Sequence, residues 1–370
     1  MRIGVPREIK VMEFRVGMVP DGVRQLVAQG HEVHVETGAG TGCGLDDGDF
    51  ADAGARVGSL EDVWESELVV KVKEPQPPEI ARLHSGQTLF TYLHLAAAPD
   101  VAQGLLDAGV RAIAYETIRT PDGAFPVLAP MSEVAGRLAA QIGATLLQKD
   151  RQGKGLLLGG VPGVERGKVT VLGAGTVGIN AVRVAHALGA EVDVLDVDLK
   201  RLTYLYDIFS GDLNTLYSNP HNIARSIISS DLLIGGVYVS GQRAPVLVTE
   251  EMVREMEPGS VVVDVAVDQG GCVETIHQTT HADPTYLVHD VVHYGVANMP
   301  GAVPRTSTFA LTNTTLPYVE RLAALGVEGA LREDPALQQG ANVWRGHVVC
   351  DGVAFSLGLP LAPLDSLLGR

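Results

Sequence analysis

The sequence predicts an α/β protein with two doubly wound, Rossmann-like domains whose sheets are mostly parallel and are separated by a cleft. Strand and helix patterns alternate through both halves of the chain, and a glycine-rich turn joins a buried strand to a helix near the middle. The length of 370 residues also exceeds what a single core normally holds. We expect one domain to comprise residues 1–128 and 306–370, and the other residues 129–305.

The composition is that of a globular protein with an acidic surface. Hydrophobic residues make up 46% and charged residues 19%, with a net charge of −16. That charge argues against binding nucleic acid or an anionic membrane. The 3 cysteines are widely spaced and form no CxxC, so neither a disulfide framework nor a zinc site is indicated. No apolar run approaches the roughly 20 residues of a membrane helix, so we expect a cytoplasmic protein.

The first third of the chain alternates short strand and helix patterns. Apolar alternation and flanking turn residues predict strands at residues 2–6, 31–36, 68–73, 88–93 and 111–115, and helices at residues 21–29, 59–67 and 100–108.

A longer helix is predicted over residues 132–148, where apolar residues recur at three- and four-residue steps. Ser132 is placed to cap this helix. Gly136 and Gly143 lie seven residues apart, which predicts close packing on another helix, with a subunit interface as one hypothesis. The glycine- and proline-rich stretch 153–167 is expected to be a loop.

A second series of strands and helices begins at Lys168. Its strands are predicted near Val169, Val192, Leu232 and Val261, with a further one near Tyr286. Another helix is predicted over residues 308–324, and the tail after it gives no firm pattern.

The strongest local signal follows the strand at Val169. Gly173, Gly175 and Gly178 fit GxGxxG, in which the glycines allow a tight turn, close approach of a pyrophosphate and close helix–strand packing. The helix that opens here directs its free N–H groups toward phosphates. The next strand ends at Asp196, where an acid accepts hydrogen bonds from the adenosine ribose and repels the 2′-phosphate of NADP. The segment therefore predicts NAD as cofactor.

Four side chains at predicted strand ends are candidates for chemistry: Arg15, Lys73, His94 and Asp268. Arginine can bind a carboxylate with two hydrogen bonds, lysine can polarise a carbonyl, and histidine can exchange protons near neutral pH. Together with hydride transfer, this set suits conversion of a 2-oxo acid to a 2-amino or 2-hydroxy acid.

Structural roles compete with these interpretations. Arg15 alone is compatible with a surface salt bridge, and His94 with a structural histidine. Lys71 shares a strand face with Lys73, so one of the two is expected to be solvated. His289 and His293 have i, i+4 spacing but no obvious third ligand, so no metal site is predicted.

Several strings in order resemble the alanine dehydrogenase family, a group shared with the nicotinamide nucleotide transhydrogenase α subunit. The resemblance covers nearly the whole chain and rests on RIGVPREIKVMEFRVGMVP, KVKEP, TYLHLA, GGVPGV, GAGTVG, VDVAVDQGGC, VHDVVHYGVANMPGAVPRTST and LTNTTLPYV.

The resemblance implies roles for individual residues. His94 and Asp268 would be the catalytic pair, and the substrate would contact Arg15, Lys73, Tyr92, Met131 and Asn298. NAD would contact the glycine loop and Ser132, Thr176, Val177, Asp196, Arg201, Ser218, Val237, Tyr238, Val265, Ala266, Val267, Asp268, Val296, Ala297, Asn298 and Met299. His277 stands where relatives often have an arginine that contacts NAD, so that contact is in doubt.

The implied activity is the reversible, NAD-dependent oxidative deamination of L-alanine to pyruvate and ammonia, by a homo-oligomer that in this family is usually a hexamer. Three alternatives remain open: a transhydrogenase α-type subunit, an opine- or saccharopine-forming dehydrogenase, and a non-catalytic NAD-sensing protein. A transhydrogenase α-type subunit would lack an oxo-acid site, and an NAD-sensing protein would need none of Arg15, Lys73 and His94.

Overall fold

A computed structural model describes residues 1–237 and 244–369 of the chain. The chain divides into two compact units. The first, unit 1, comprises Met1–Met131 and Val303–Arg370, and the second, unit 2, comprises Ser132–Ala302.

The helices and strands follow one another in this order: β1 (Arg2–Val5), α1 (Pro20–Ala28), β2 (Glu32–Glu36), α2 (Asp47–Asp52), β3 (Arg56–Gly58), α3 (Leu60–Trp64), β4 (Leu68–Val70), α4 (Pro77–Ile80), β5 (Thr88–Thr91), α5 (Pro99–Asp107), β6 (Arg111–Ala114), α6 (Ala129–Leu146), β7 (Lys168–Leu172), α7 (Thr176–Ala187), β8 (Glu191–Asp196), α8 (Leu199–Ile208), β9 (Asn214–Tyr217), α9 (Pro220–Ile228), β10 (Leu232–Gly235), α10 (Glu250–Arg254), β11 (Val261–Asp264), β12 (Thr285–Val288), β13 (Val291–Tyr294), α11 (Pro304–Glu333), α12 (Pro335–Gln339), β14 (Ala341–Trp344), β15 (His347–Val348), α13 (Asp351–Leu357) and α14 (Leu364–Leu367).

Unit 1 is built on a sheet with the strand order β15-β14-β6-β5-β4-β1-β2-β3. The strands from β3 to β6 are parallel, whereas β14 and β15 add an antiparallel edge. Successive residues of β5 point to opposite faces, so Phe90 packs into one buried cluster and Leu89 into another. Both faces of the sheet are therefore covered, as parallel sheets require.

Unit 2 is built on a sheet with the order β12-β13-β11-β10-β7-β8-β9. Every pair is parallel except β12 with β13. Numbered within the unit from β7, with β13 as the sixth strand, this is the 3-2-1-4-5-6 order of a Rossmann fold. The predicted fold class, two mostly parallel α/β sheets, is confirmed.

Helix α6 corrects the prediction for Ser132. The helix begins at Ala129, so Ser132 lies within it and is not its N-cap. The close packing of its glycines occurs within unit 2. A Cβ on Gly136 would lie 2.1 Å from the Val177 carbonyl oxygen of α7, and one on Gly143 would lie 2.4 Å from the Leu232 side chain.

The ends of three predicted strands also differ from the structure. β4 ends at Val70, before Lys73, and β5 ends at Thr91, before His94. β11 ends at Asp264, and Asp268 lies in the 3-10 helix Val265–Gln269 that follows. The predicted helix at 308–324 is part of α11, which continues to Glu333 with non-helical backbone at Gly326.

No helix among the described residues is both long enough and apolar enough to cross a membrane.

Candidate active site

Three neighbouring strands of unit 1 lead to the predicted substrate residues. β5, β4 and β1 lie side by side in the sheet. They are parallel, so their carboxyl ends lie at one edge. Arg15 follows β1, Lys73 follows β4 and His94 follows β5. Ligands of open α/β sheets bind beyond this edge.

Arg15 is buried and tightly paired. Its Nε and Nη2 donate to the two carboxylate oxygens of Glu13 at 2.7 and 2.6 Å, and its backbone N–H donates to the same carboxylate at 3.1 Å. Its Nη1 donates to Sδ of Met131 at 3.1 Å. The structure therefore brings together two predicted substrate residues, Arg15 and Met131, and corrects the alternative that Arg15 is a surface residue.

Burial alone would lower the pKa of Arg15, but the hydrogen bonds and charge of Glu13 more than offset it, and the pKa is raised. The guanidinium is therefore a permanent charge held in one orientation. Such a group suits recognition of a planar carboxylate.

Lys73 is partly buried, and its backbone carbonyl accepts a hydrogen bond from the Thr91 hydroxyl at 2.9 Å. Burial lowers the pKa of Lys73, and the positive charges of Arg15 and Lys10 lower it further, against the opposing charges of Glu74 and Glu13. An anionic substrate would relieve this concentration of positive charge.

Tyr92 and His94 form the second group of neighbours. Their rings stack with centroids 5.7 Å apart. The Tyr92 hydroxyl donates to the Val127 carbonyl at 2.7 Å, and burial raises the pKa of Tyr92. Tyr92 is therefore neutral and supplies a flat wall beside the imidazole.

His94 adopts a left-handed backbone conformation, with φ of 50°. Glu116 stabilises this turn, because its carboxylate accepts hydrogen bonds from the backbone N–H groups of His94 at 2.6 Å and Leu93 at 3.2 Å. The same carboxylate lies 3.9 Å from Nδ1 of His94. With 48% of its side chain exposed, the imidazole is accessible to a ligand.

Sequence reasoning missed Glu13 and Glu116. Glu13 could have been found from its position two residues before Arg15, but Glu116 lies 22 residues after His94 and gives no local signal. The sequence also led us to expect that either Lys71 or Lys73 is solvated. In the structure Lys71 is fully buried between Glu8 and Glu79.

The glycine loop of unit 2 has the geometry of a dinucleotide site. Gly173 has φ of 93°, and a Cβ on Gly178 would lie 1.7 Å from the Gly173 carbonyl oxygen. A Cβ on Gly175 would meet only Arg201 Nη1, at 3.7 Å. Within the described ranges no side chain caps α7, so no side chain occupies the place of an anion at its N-terminus. These features fit a pyrophosphate.

Asp196 ends β8, as predicted, and holds the loop. Its Oδ2 accepts from the Ala174 N–H at 2.6 Å and its Oδ1 from the Asp198 N–H at 2.8 Å. Arg201 Nη1 lies 3.8 Å from the same carboxylate. The acid that we expect to bind the ribose therefore also fixes the phosphate loop.

Most of the other predicted cofactor residues follow strands of unit 2, whereas Ser132 lies within α6 and Thr176 and Val177 begin α7. Ser218 follows β9, and its N–H donates to the Asp196 carbonyl at 3.0 Å. Val237 follows β10, whereas Tyr238 lies outside the described residues. The residues that follow β11 and β13 are Val265, Ala266, Val267 and Asp268, and Val296, Ala297, Asn298 and Met299.

Asp268 and Asn298 are held by local contacts. Asp268 is exposed, and its Oδ1 accepts from Gln278 Nε2 at 3.4 Å. The Asn298 carbonyl accepts from the Gly301 N–H at 2.9 Å, and the backbone of Asn298 has φ of 60°. The His277 ring stacks on Tyr286 with ring centroids 3.7 Å apart, and the backbone N–H of His277 donates to the Tyr286 hydroxyl at 2.7 Å.

His289 and His293 do not share a site. His289 pairs with Glu250 at 2.8 Å, whereas His293 is buried and contacts the Thr275 hydroxyl at 2.7 Å. In the parts of the chain described above, no group of three or more His, Cys, Asp or Glu side chains could hold a metal ion.

Comparison with known proteins agrees over the whole chain. Residues 4–135 match the family model described as "Alanine dehydrogenase/PNT, N-terminal domain", and residues 139–351 match the corresponding C-terminal domain. The chain is 55% identical to the alanine dehydrogenase of Bacillus subtilis (strain 168) over 370 residues, covering 100% of this chain and 98% of the relative.

Two solved structures are also similar. A structure titled L-alanine dehydrogenase superposes with a TM-score of 0.94 and 52% identity, over 97% of this chain and 99% of that one. A transhydrogenase from Sinorhizobium meliloti superposes with a TM-score of 0.80 and 25% identity, over 95% and 99% of the two chains. Matches of this extent leave one conclusion: the chain belongs to the alanine dehydrogenase/PNT family.

Proposed function

We propose that this chain is an NAD-dependent L-alanine dehydrogenase, which interconverts L-alanine, NAD and water with pyruvate, ammonium, NADH and a proton. The observation that carries the proposal is the placement of Arg15, Lys73 and His94 beyond the carboxyl ends of three adjacent strands. The relatives of 52–55% identity that cover the chain are named alanine dehydrogenase, which supports the choice of substrate.

Arg15 and Lys73 bind the substrate in this proposal. Glu13 binds Nε and Nη2 of Arg15 and so fixes the orientation of the guanidinium that binds the substrate carboxylate. Lys73 brings a second positive charge that polarises the oxo group of pyruvate. In this proposal the methyl group of the substrate packs against the Met131 side chain, which contacts Arg15.

His94 moves the proton. Nδ1 lies toward Glu116, so Nε2 is the atom that exchanges a proton with the nitrogen or oxygen on the substrate carbon. Asp268 orients the water that adds to the iminium and stabilises the positive charge of the departing amine. In the reverse direction the same two groups deliver the proton and hold the ammonia.

The glycine loop and Asp196 fit a nicotinamide dinucleotide, and family membership implies a cofactor of this class. When bound, that cofactor accepts the hydride from the substrate α-carbon. Asp196 favours NAD, because a 2′-phosphate would meet a carboxylate that is 8% exposed and already accepts two backbone hydrogen bonds.

A transhydrogenase-type activity explains fewer residues. Hydride transfer between two nucleotides has no use for a guanidinium, an ammonium and an imidazole at adjacent strand ends. The lower identity to the transhydrogenase structure, 25% against 52% for the L-alanine dehydrogenase structure, agrees with this preference. We further propose a cytoplasmic homo-oligomer, most simply a hexamer, which light scattering of the purified chain would test.

The decisive assay is formation of NADH from NAD and L-alanine. We expect turnover with alanine, and with pyruvate plus ammonium in reverse, but little with lysine, with glutamate or with NADP as cofactor. An enzyme that forms no NADH from alanine would contradict the proposal. Activity restricted to a bulkier amino partner would favour the opine-type alternative.

A further inference from the structure

The backbone just before Lys73 forms a hydrogen bond with a side chain instead of with a neighbouring strand. β1 pairs with β4 only as far as Gly4 and Val69. On its other side the β4 segment continues beside β5 beyond Val70, because the Lys71 N–H donates to Phe90 O and the Tyr92 N–H donates to Val72 O. The Val72 N–H therefore points to the side where β1 has already ended.

Glu8 takes the place of the missing strand. Its Oε1 accepts from the Val72 N–H at 2.7 Å and lies 3.4 Å from the Lys73 N–H. Val72 is fully buried, so its N–H would otherwise have no acceptor, which is costly. One carboxylate oxygen thus fixes the backbone directly at Lys73.

The other carboxylate oxygen of Glu8 binds Lys71 and so anchors the Glu8 side chain. Oε2 accepts from Lys71 Nζ at 3.1 Å, and Lys71 Nζ also donates to Glu79 at 2.6 Å. The three side chains are 0–4% exposed, so Glu8 has little freedom to move. Removing one partner from such a buried ion group leaves an uncompensated charge, which is costly, so the three side chains stay together.

Lys73 needs such support from its backbone. In the part of the chain that the structure describes, no hydrogen bond or ion pair holds its Nζ, unlike that of Lys71. The backbone from which the Lys73 side chain extends is held by Glu8 on one side and by the Thr91 hydroxyl on the other.

We propose that Glu8 is a positioning residue for Lys73, acting through the Val72 and Lys73 backbone. This inference rests on the proposed function in one respect, namely that Lys73 binds the oxo acid. Glu8 itself does not contact substrate.

Variants at two glutamates separate positioning from stability. Glu8→Met removes the acceptor for Val72, whereas Glu8→Gln retains a carbonyl oxygen for it, and both remove the charge beside Lys71. Glu79→Gln removes the other carboxylate from Lys71 but leaves the Val72 contact in place. We expect the KM for pyruvate to rise roughly 10- to 100-fold in Glu8→Met, clearly less in Glu8→Gln, and little in Glu79→Gln.

Hydrogen exchange measures the contact between Glu8 and the Val72 N–H independently of enzyme activity. The Val72 amide should exchange faster in Glu8→Met and remain protected in Glu79→Gln. Equal increases in KM for Glu8→Met and Glu79→Gln would overturn the positioning role, because both would then report damage to the buried ion group. If Glu8→Met does not fold, Glu8→Asp replaces it, since its shorter side chain keeps the charge but withdraws from Val72.

The inference can also be tested if the proposed function fails. If the wild-type chain does not use pyruvate, the rate at which acetic anhydride labels Lys73 replaces KM as the readout. A labelling rate altered by Glu8→Met but not by Glu79→Gln would support the inference. An unchanged rate would overturn it.

Discussion

The two units build their sites from different materials. Unit 1 uses side chains that acidic neighbours hold in place: Glu13 binds the Arg15 guanidinium, and Glu116 binds the backbone N–H of His94. Unit 2 uses backbone: glycines at 173, 175 and 178, the N-terminus of α7, and one carboxylate that binds backbone N–H groups. The difference lies in what each ligand demands, because a pyrophosphate is recognised by N–H groups and a small oxo acid by charge and proton transfer.

The comparison teaches where each site should be vulnerable. A backbone site fails when atoms are added, since a Cβ at Gly178 would collide with the Gly173 carbonyl oxygen. A side-chain site fails when atoms are removed, since each group has a separate chemical role. The predictions below test that contrast.

Removing the imidazole should have the largest effect. We expect His94→Ala to lower kcat for alanine by roughly 10²–10⁴-fold, because general acid–base catalysis contributes about that much. NAD binding, measured by fluorescence titration, should be almost unchanged. His84→Ala is the matched control, since His84 is exposed and its ring contacts only its neighbour Ser85 in the described structure. Full activity of His94→Ala would remove His94 from the mechanism.

Adding one carbon to the loop should be the next largest effect. In Gly178→Ala the new Cβ would lie 1.7 Å from the Gly173 carbonyl oxygen, so the turn must deform. We expect NAD affinity to fall by about 100-fold, which corresponds to about 2.7 kcal/mol. Gly352→Ala adds the same atom in α13, where nothing lies within 4 Å, and should bind NAD normally. Normal NAD binding by Gly178→Ala would show that the loop is not the cofactor site.

Asp196 is the one side chain of the backbone site and should have an intermediate effect. Asp196→Ala should weaken NAD binding by roughly 10-fold and reduce the preference for NAD over NADP, because both the ribose acceptor and the acceptor for Ala174 are lost. Asp196→Asn keeps an oxygen for the loop and should lose selectivity with a smaller loss of affinity. Asp198→Ala, two residues along the same turn, should keep the selectivity. Unchanged rejection of NADP in both Asp196 variants would place the ribose contact elsewhere.

The contrast also explains how far the sequence could be interpreted. The run from β7 through α7 to β8 was predicted with its glycines and with Asp196, because backbone conformation there depends on residues close in sequence. The antiparallel edge formed by β14 was not predicted. It pairs with β6, more than 200 positions earlier, as in Val343 with Ala112, and no local pattern marks such a partner.

The same limit applies within the site. Arg15, Lys73 and His94 were found as candidates, but the carboxylates that contact each of them or its backbone were not. Glu8 lies 64 residues from Val72, and Glu116 lies 22 from His94. Lys71 could not be distinguished from a solvated lysine, because Glu8, one of the two acids that neutralise it, lies 63 residues away in the sequence.

The smallest predicted effect concerns the charge of Lys73. Burial and the charges of Arg15 and Lys10 lower its pKa, so the ammonium is present below that pKa and is lost as pH rises through it, earlier than for an ordinary lysine at about 10.4. We expect kcat/KM for pyruvate to fall along an alkaline limb that reports this loss. Lys73→Arg should remove the limb, because arginine stays charged.

A second variant, Lys10→Gln, tests whether the alkaline limb belongs to Lys73. It removes a neighbouring positive charge and releases Glu74 from its ion pair, and both changes favour the protonated form of Lys73. The alkaline limb should therefore move to higher pH by a fraction of a pH unit. Lys200→Gln, an exposed lysine of α8, should leave the limb in place. A limb that stays unchanged in Lys73→Arg would belong to another group, and the charge of Lys73 would then not limit substrate binding.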